Sequence, residues 1–120
     1  MRIEALLQTA EDAVEREDAE TLSEMLSPSY QDSYGMTAPG VQGMLSNLFK
    51  EFDHVEVVSD KPVIQMKSET AEVKLPLRIL VDWAGQRSYL VGRNLKPAQV
   101  RISFRKEGLH WKVIRVEGMK

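Results

Sequence analysis

The first half of the chain carries the hydrophobic spacing of helices. Five apolar residues follow the i, i+3, i+4, i+7, i+11 stripe of an amphipathic helix, namely Ile3, Leu6, Leu7, Ala10 and Val14. Asp18 is suited to cap a second, short helix, and Pro28 stops it because proline cannot continue the hydrogen bonds of a helix backbone. The inward residues predicted for this second helix are Leu22, Met25 and Leu26.

A third helix is predicted after a short extended piece. That piece runs from Ser29 to Gly35 and ends in a turn. Thr37 is suited to cap the helix that follows, and Pro39 fits its first turn. The apolar stripe of the third helix is Val41, Leu45, Leu48, Phe49 and Phe52.

From His54 onward the hydrophobic period changes to two, which is typical of strands with one buried face. The predicted strand segments contain Val55 and Val57, then Val63 to Met66, then Ala71 to Trp83, then Val100 to Arg105, then Leu109 to Glu117. Gly85 predicts a hairpin turn, which would set Trp83 and Tyr89 on neighbouring arms. Helices followed by a meandering antiparallel sheet indicate an α+β fold with the helices on one face.

Length and composition fit one folded domain over residues 1–120. The chain is 42% hydrophobic and 28% charged, and it contains no cysteine, which excludes disulfides and thiolate metal sites. No apolar run is long enough to span a bilayer. The start Met1-Arg2-Ile3-Glu4 lacks the apolar segment of a secretory signal, so a cytoplasmic location is expected if Met1 is native, and export if a leader has been removed.

The net charge of −2 hides two oppositely charged halves. Residues 1–60 carry 13 acidic and 3 basic side chains, while residues 61–120 carry 5 acidic and 13 basic ones. The outer face of the sheet is predicted to hold Lys74, Arg78, Arg101 and Arg105, which alternate along their strands. This basic face fits solvation and protection against edge pairing, or a homodimer contact through the sheet. Nucleic-acid binding is disfavoured because no exposed aromatics alternate with the cations.

The order of elements, together with several short segments, resembles the nuclear transport factor 2-like (NTF2-like, also SnoaL-like) superfamily, whose members share the α+β cone of ketosteroid isomerase. The segments are Glu17-Asp18 with Leu22 and Leu26, the stretch Ser29 to Gly35, the helix Val41 to Phe52, and the closing Gly108 to Val113. The stretch Tyr30 to Gly35 is most similar to bacterial members of unknown function. The resemblance implies three N-terminal helices on a curved antiparallel sheet, with a pocket between the layers.

In the isomerase-like and cyclase-like members, the resemblance implies an acid/base carboxylate after the second helix, and Asp32 falls at that position. An Asp at the mouth of an apolar cone could act as a general base. The tyrosine that stabilises the enolate oxygen in the isomerases falls at Ala10, which has no donor. The alternative is that Asp32 accepts backbone hydrogen bonds in the turn before the third helix.

Six aromatic side chains are candidates for the lining of an apolar ligand pocket, namely Tyr30, Tyr34, Phe49, Trp83, Tyr89 and Trp111, and each could instead be an ordinary core or rim residue. His54 and His110 are the only histidines and show no metal-ligand spacing, so no metal or other cofactor is expected. We therefore expect a module that binds a small apolar ligand or a protein. The alternative is an isomerase, cyclase or lyase that uses Asp32 as its base.

Overall fold

The structure is a computed structural model that describes residues 2–120. Within these residues it contains three helices, α1 (Ile3–Glu15), α2 (Ala19–Glu24) and α3 (Ala38–Glu51). Six strands follow, β1 (His54–Ser59), β2 (Val63–Met66), β3 (Thr70–Trp83), β4 (Gln86–Val91), β5 (Ala98–Glu107) and β6 (His110–Glu117). The predicted α+β order of helices before an antiparallel sheet is confirmed.

Helix α1 lies on β1 through its apolar stripe and two carboxylates. Ile3, Leu7 and Ala13 are buried, as expected of the inward face of an amphipathic helix. Oε2 of Glu15 accepts a hydrogen bond of 3.0 Å from the backbone N–H of Val57 on β1, and Glu11 accepts one from the hydroxyl of Ser59. The first bond occupies a backbone N–H at the open edge of β1, and both bonds fix the helix over that side of the sheet.

The segment between α2 and α3 is held by side-chain caps. Asp18 caps α2 as predicted, because its Oδ1 accepts a 3.1 Å hydrogen bond from the N–H of Thr21. Thr37 occupies the N-cap position of α3 without a side-chain cap bond. The extended piece expected from Ser29 to Gly35 is reduced to an isolated bridge between Gln31 and Thr37, and the backbone N–H of Gln31 donates to the carbonyl of Ile114 on β6.

The sheet is built around β3, which pairs with four other strands. Strands β1 and β2 lie along one side of β3, β4 and β5 lie along the other, and β6 follows β5. Alternate residues of β3 are buried from Ala71 to Val81, which confirms the predicted alternation. The register shifts at Ile79/Leu80 and at Ser103/Phe104, and such bulges bend a sheet, so the strands curve toward the helices.

Gly118 brings the last residues against β5. Its φ is +83°, and a Cβ at this position would lie 2.3 Å from the carbonyl oxygen of Gln99. Only glycine fits such an approach without moving backbone. The next residue, Met119, is thereby set beside the concave face of the sheet, where it contributes to the cavity described below.

Candidate functional site

A cavity of about 430 Å³ lies between the helices and the concave face of the sheet. The sheet side is formed by the inward residues Leu75, Leu77, Ile79, Val100, Ile102, Phe104, Val113 and Val116. The helix side includes Leu6, Leu7, Ala10 and Val14 from α1, Leu22 from α2, and Val41, Met44 and Leu45 from α3. The hydrophobic stripes that predict the elements therefore also form the cavity walls.

The polar lining consists of two tyrosines and two carboxylates, Tyr30, Tyr34, Asp32 and Glu11. Tyr30 is 4% exposed, and its hydroxyl donates a hydrogen bond of 2.8 Å to Oδ2 of Asp32. Burial of the phenol raises the pKa of Tyr30 well above its ordinary value, and the hydrogen bond to Asp32 is the second cause of this rise. The phenol therefore stays protonated near neutral pH and continues to donate to Asp32.

Asp32 is held by its own turn. Its Oδ1 accepts hydrogen bonds from the backbone N–H of Tyr34 at 3.0 Å and of Met36 at 3.1 Å. Side chains that accept such bonds stabilise turns before helices. The arrangement matches the alternative in which Asp32 has a structural role, although the carboxylate also borders the cavity.

Ala10 lines the cavity at the position where the resemblance places an enolate-stabilising tyrosine in the isomerases. A methyl group has no donor, so it cannot stabilise a developing oxyanion. Among the cavity-lining side chains of residues 2–120, the neutral hydroxyl donors are Tyr30, which is already bonded to Asp32, and Tyr34. The acid/base constellation of an isomerase is thus incomplete around Asp32.

Glu11 is a lining residue that sequence reasoning missed. It lies one turn after Leu7, so it falls on the inward side of α1, and its carboxylate accepts a hydrogen bond from Ser59. The signal was present in the spacing, because Ile3, Leu7 and Glu11 follow at intervals of four residues.

The rim of the cavity is rich in methionine. Met44 and Met119 line the cavity while remaining 45% and 40% exposed, and Met25 and Met36 also line it. Tyr34 joins this rim and is 58% exposed. Methionine is unbranched and flexible, so such a rim can adapt to ligands of different outline.

Three of the seven predicted site residues, Tyr30, Asp32 and Tyr34, lie together in the cavity lining. The other four, Phe49, Trp83, Tyr89 and Trp111, are not among the residues that line it. Phe49 and Trp111 pack against the hydrophobic core, and Trp83 is 61% exposed at the end of β3. The hydroxyl of Tyr89 donates to Oδ1 of Asn94 at 3.3 Å.

A second, open groove of about 490 Å³ has a mixed polar lining that includes Ser29, Thr70, Glu72, Arg105 and Arg115. Arg105 is already paired with Glu107, and Ser27 donates a 2.6 Å hydrogen bond to the same carboxylate. The hydrogen bond from Ser27 is the main cause that lowers the pKa of Glu107, and the hydrogen bond from Arg105 is the second.

Within residues 2–120, no three His, Asp or Glu side chains are grouped as metal ligands.

These elements define an α+β cone with an apolar cavity, and solved structures share the architecture. A Novosphingobium aromaticivorans protein provisionally assigned as a scytalone dehydratase superposes with a TM-score of 0.81 at 16% identity, over 96% of this chain and 78% of that one. An NTF2-like protein with a cystatin-like fold from the same organism superposes with a TM-score of 0.72 at 15% identity, over 94% and 75% of the respective chains. The chain has the NTF2-like fold, as the resemblance predicted.

Bdellovibrio bacteriovorus Bd1075 contains the same fold within a longer chain. It superposes with a TM-score of 0.79 at 17% identity, and the match covers 96% of this chain but 39% of Bd1075. No protein-family model and no curated protein sequence matches the chain. Because all these identities are low, the comparisons establish the fold alone, and the chemistry has to be inferred from the site.

Proposed function

We propose that this NTF2-like domain binds a small, mostly apolar molecule in the cavity between its helices and its sheet. The observation that carries the proposal is a preformed cavity of about 430 Å³ whose lining, apart from two tyrosines and two carboxylates, is apolar. Ligand sites in proteins have volumes of roughly 300–1,000 Å³ and this kind of lining. A few polar groups at one place on an apolar wall are suited to orient a ligand.

The binding energy would come mainly from burial of the ligand. Each Å² of apolar surface removed from water contributes about 25 cal/mol, so burying about 250 Å² contributes roughly 6 kcal/mol. Part of this gain offsets the loss of translational and rotational freedom on binding. A rim of flexible methionines supports contact with ligands of more than one shape.

Binding without catalysis is favoured by the state of Asp32. Two backbone N–H groups and the Tyr30 hydroxyl donate to its carboxylate, which is the arrangement of a turn-stabilising side chain. An isomerase would need a second donor directed at the substrate oxygen, and Ala10 provides none where the resemblance places it. The enzyme hypothesis is therefore the less supported of the two.

The proposal is tested with N-phenyl-1-naphthylamine, a neutral apolar dye that becomes fluorescent when it leaves water. We expect saturable binding of one dye per chain, with a dissociation constant of about 1–100 μM. The urea-unfolded chain serves as the reference, since it has no cavity. A fluorescence that does not saturate, or that is the same for folded and unfolded protein, would contradict the proposal.

A second proposal concerns the outer face of the sheet, which we propose pairs with its copy in a homodimer. Val58, Val63 and Tyr89 are 39%, 58% and 40% exposed, and their strand partners Arg78, Lys74 and Leu80 belong to the outward set of β3. Exposed apolar groups on a face are typical of association surfaces.

Acidic groups lie among the cations on this face, which reduces repulsion between two copies. Arg101 lies between Lys74 on β3 and Glu117 on β6, and Arg87 forms ion pairs with both Asp82 and Glu56. The interleaved charges allow two basic faces to meet with opposite charges opposed.

Sedimentation equilibrium tests the dimer. We expect the native chain to sediment as a dimer and Val58→Glu to shift it toward monomer, because a carboxylate would be buried in the contact. Leu109→Glu is the matched control, since Leu109 is 87% exposed in the turn between β5 and β6. A native monomer at every concentration would contradict the homodimer and would leave the cavity proposal untouched.

A further inference from the structure

The charged groups in the cavity lining have one sign. Glu11 on α1 and Asp32 on the segment between α2 and α3 are carboxylates, and within residues 2–120 no lysine, arginine or histidine lines the cavity. The two acids come from different elements, so they are not one local cluster. A ligand that enters therefore meets negative charge on more than one wall and meets no positive charge.

The unused hydrogen-bonding capacity of these carboxylates is also of one kind. Each carboxylate oxygen can accept two hydrogen bonds. Oδ1 of Asp32 already accepts two, from the N–H groups of Tyr34 and Met36, and Oδ2 accepts one from Tyr30. Glu11 accepts one on Oε1 from Ser59. Both side chains can still accept hydrogen bonds, which suits a ligand that donates them.

Donors for an anionic ligand are scarce by comparison. The hydroxyl proton of Tyr30 is directed to Asp32 at 2.8 Å. The remaining lining hydroxyl within residues 2–120, that of Tyr34, belongs to a side chain that is 58% exposed at the rim. A carboxylate carried into the cavity would lose its water without gaining a buried donor, and this loss is costly.

The net negative charge of the surrounding helices also favours a cationic ligand over an anionic one. Residues 3–51 carry ten acidic and two basic side chains, whereas residues 61–120 carry five acidic and thirteen basic ones. The helical side of the cavity is therefore electronegative, and a field of one sign raises the local concentration of oppositely charged ligands.

We propose that the cavity selects apolar molecules that carry a cationic amine, and that it discriminates against carboxylates of the same shape. The inference rests on the proposed ligand-binding function and adds the sign of charge to it. The apolar body of the ligand packs against the sheet, and its ammonium group donates to the free acceptor sites of Asp32 or Glu11.

Three probes with one ring system test this selection, namely 2-naphthylmethylammonium, 2-naphthalenemethanol and 2-naphthoate. Each is titrated against the native chain at pH 7 by displacement of N-phenyl-1-naphthylamine. Because opposite charges within a few ångströms attract strongly at the low dielectric of a protein site, we expect the ammonium to bind at least about tenfold tighter than the carboxylate, with the alcohol between them.

Charge-neutral variants assign the effect to the lining. Glu11→Gln and Asp32→Asn should each lower the ammonium-to-carboxylate affinity ratio by about threefold or more, and Glu11→Gln keeps the test valid if Asp32→Asn disturbs its turn. Glu4→Gln is the matched control, because Glu4 is an exposed acid on the same helix that does not line the cavity. The ammonium-to-carboxylate affinity ratio of Glu4→Gln should equal that of the native chain.

The outcomes separate the two proposals. Binding of the alcohol with equal or tighter binding of the carboxylate would overturn the charge selection and leave the ligand-binding function supported. The charge selection would also be overturned if both Glu11→Gln and Asp32→Asn kept the ammonium-to-carboxylate affinity ratio of the native chain, because the lining acids would then not be the source of the selection. Failure of all three probes to displace a dye that binds saturably would also overturn the charge selection, whereas failure of the dye itself to bind would contradict the binding function.

Discussion

Phe104→Ala is expected to lower the free energy of unfolding by about 3–5 kcal/mol. Phe104 on β5 is 2% exposed and is the largest fully buried side chain among the described residues. Truncation removes its apolar contacts and leaves a void that the surrounding strands cannot fully close. A domain of this size typically has 5–15 kcal/mol of stability, so the loss is a large share of the total.

Urea denaturation followed by tryptophan fluorescence measures this loss. Leu109→Ala is the control, because Leu109 is 87% exposed and its truncation should change the free energy by about 0.5 kcal/mol or less. If Phe104→Ala cost no more than the control, Phe104 would not be buried in the core as described. Phe104 also lines the cavity, so the variant would widen it while destabilising the fold.

Ala10→Trp is expected to weaken binding of N-phenyl-1-naphthylamine at least about tenfold, which is 1.4 kcal/mol. Ala10 lies on α1 and its methyl group borders the cavity. An indole at this position would occupy space that the ligand needs. The fold should survive, because the cavity is already empty of protein atoms where the ring would lie.

Ala5→Trp is the matched control for the cavity-filling variant. Ala5 lies on the same helix but is exposed and does not line the cavity. Its dye affinity should equal that of the native chain, measured by the same fluorescence titration. Equal affinity in Ala10→Trp would mean that the dye binds elsewhere on the molecule.

Most of the fold could be predicted from the spacing of apolar residues. The stripe from Ile3 to Val14 and the alternation from Ala71 to Trp83 each have a period that one type of element requires, so α1 and β3 followed directly. The path of the piece from Ser29 to Gly35 could not be predicted in this way, because it depends on hydrogen bonds that the piece donates to distant residues. Gln31 donates its backbone N–H to the carbonyl of Ile114 on β6.

The site was only partly predictable for a related reason. An apolar stripe shows which residues face inward, but it does not show whether the two layers touch or enclose a space. Tyr30, Asp32 and Tyr34 reach the lining on the segment before α3. The sequence indicates the turn at Asp32, but not the hydrogen bond from Gln31 to β6 that holds the segment there. Trp83 has the phase of a buried residue, yet it is the last residue of β3, next to the hairpin turn, and is 61% exposed.

Methyl NMR spectra recorded with and without N-phenyl-1-naphthylamine show whether the cavity between the helices and the sheet is the ligand site. We expect the largest chemical-shift changes at the lining methyl groups of Ile79, Val100 and Ile102, while the signals of Val58 and Val63 on the outer face stay unchanged. Shift changes concentrated at Val58 and Val63, with the lining methyl groups unaffected, would contradict it.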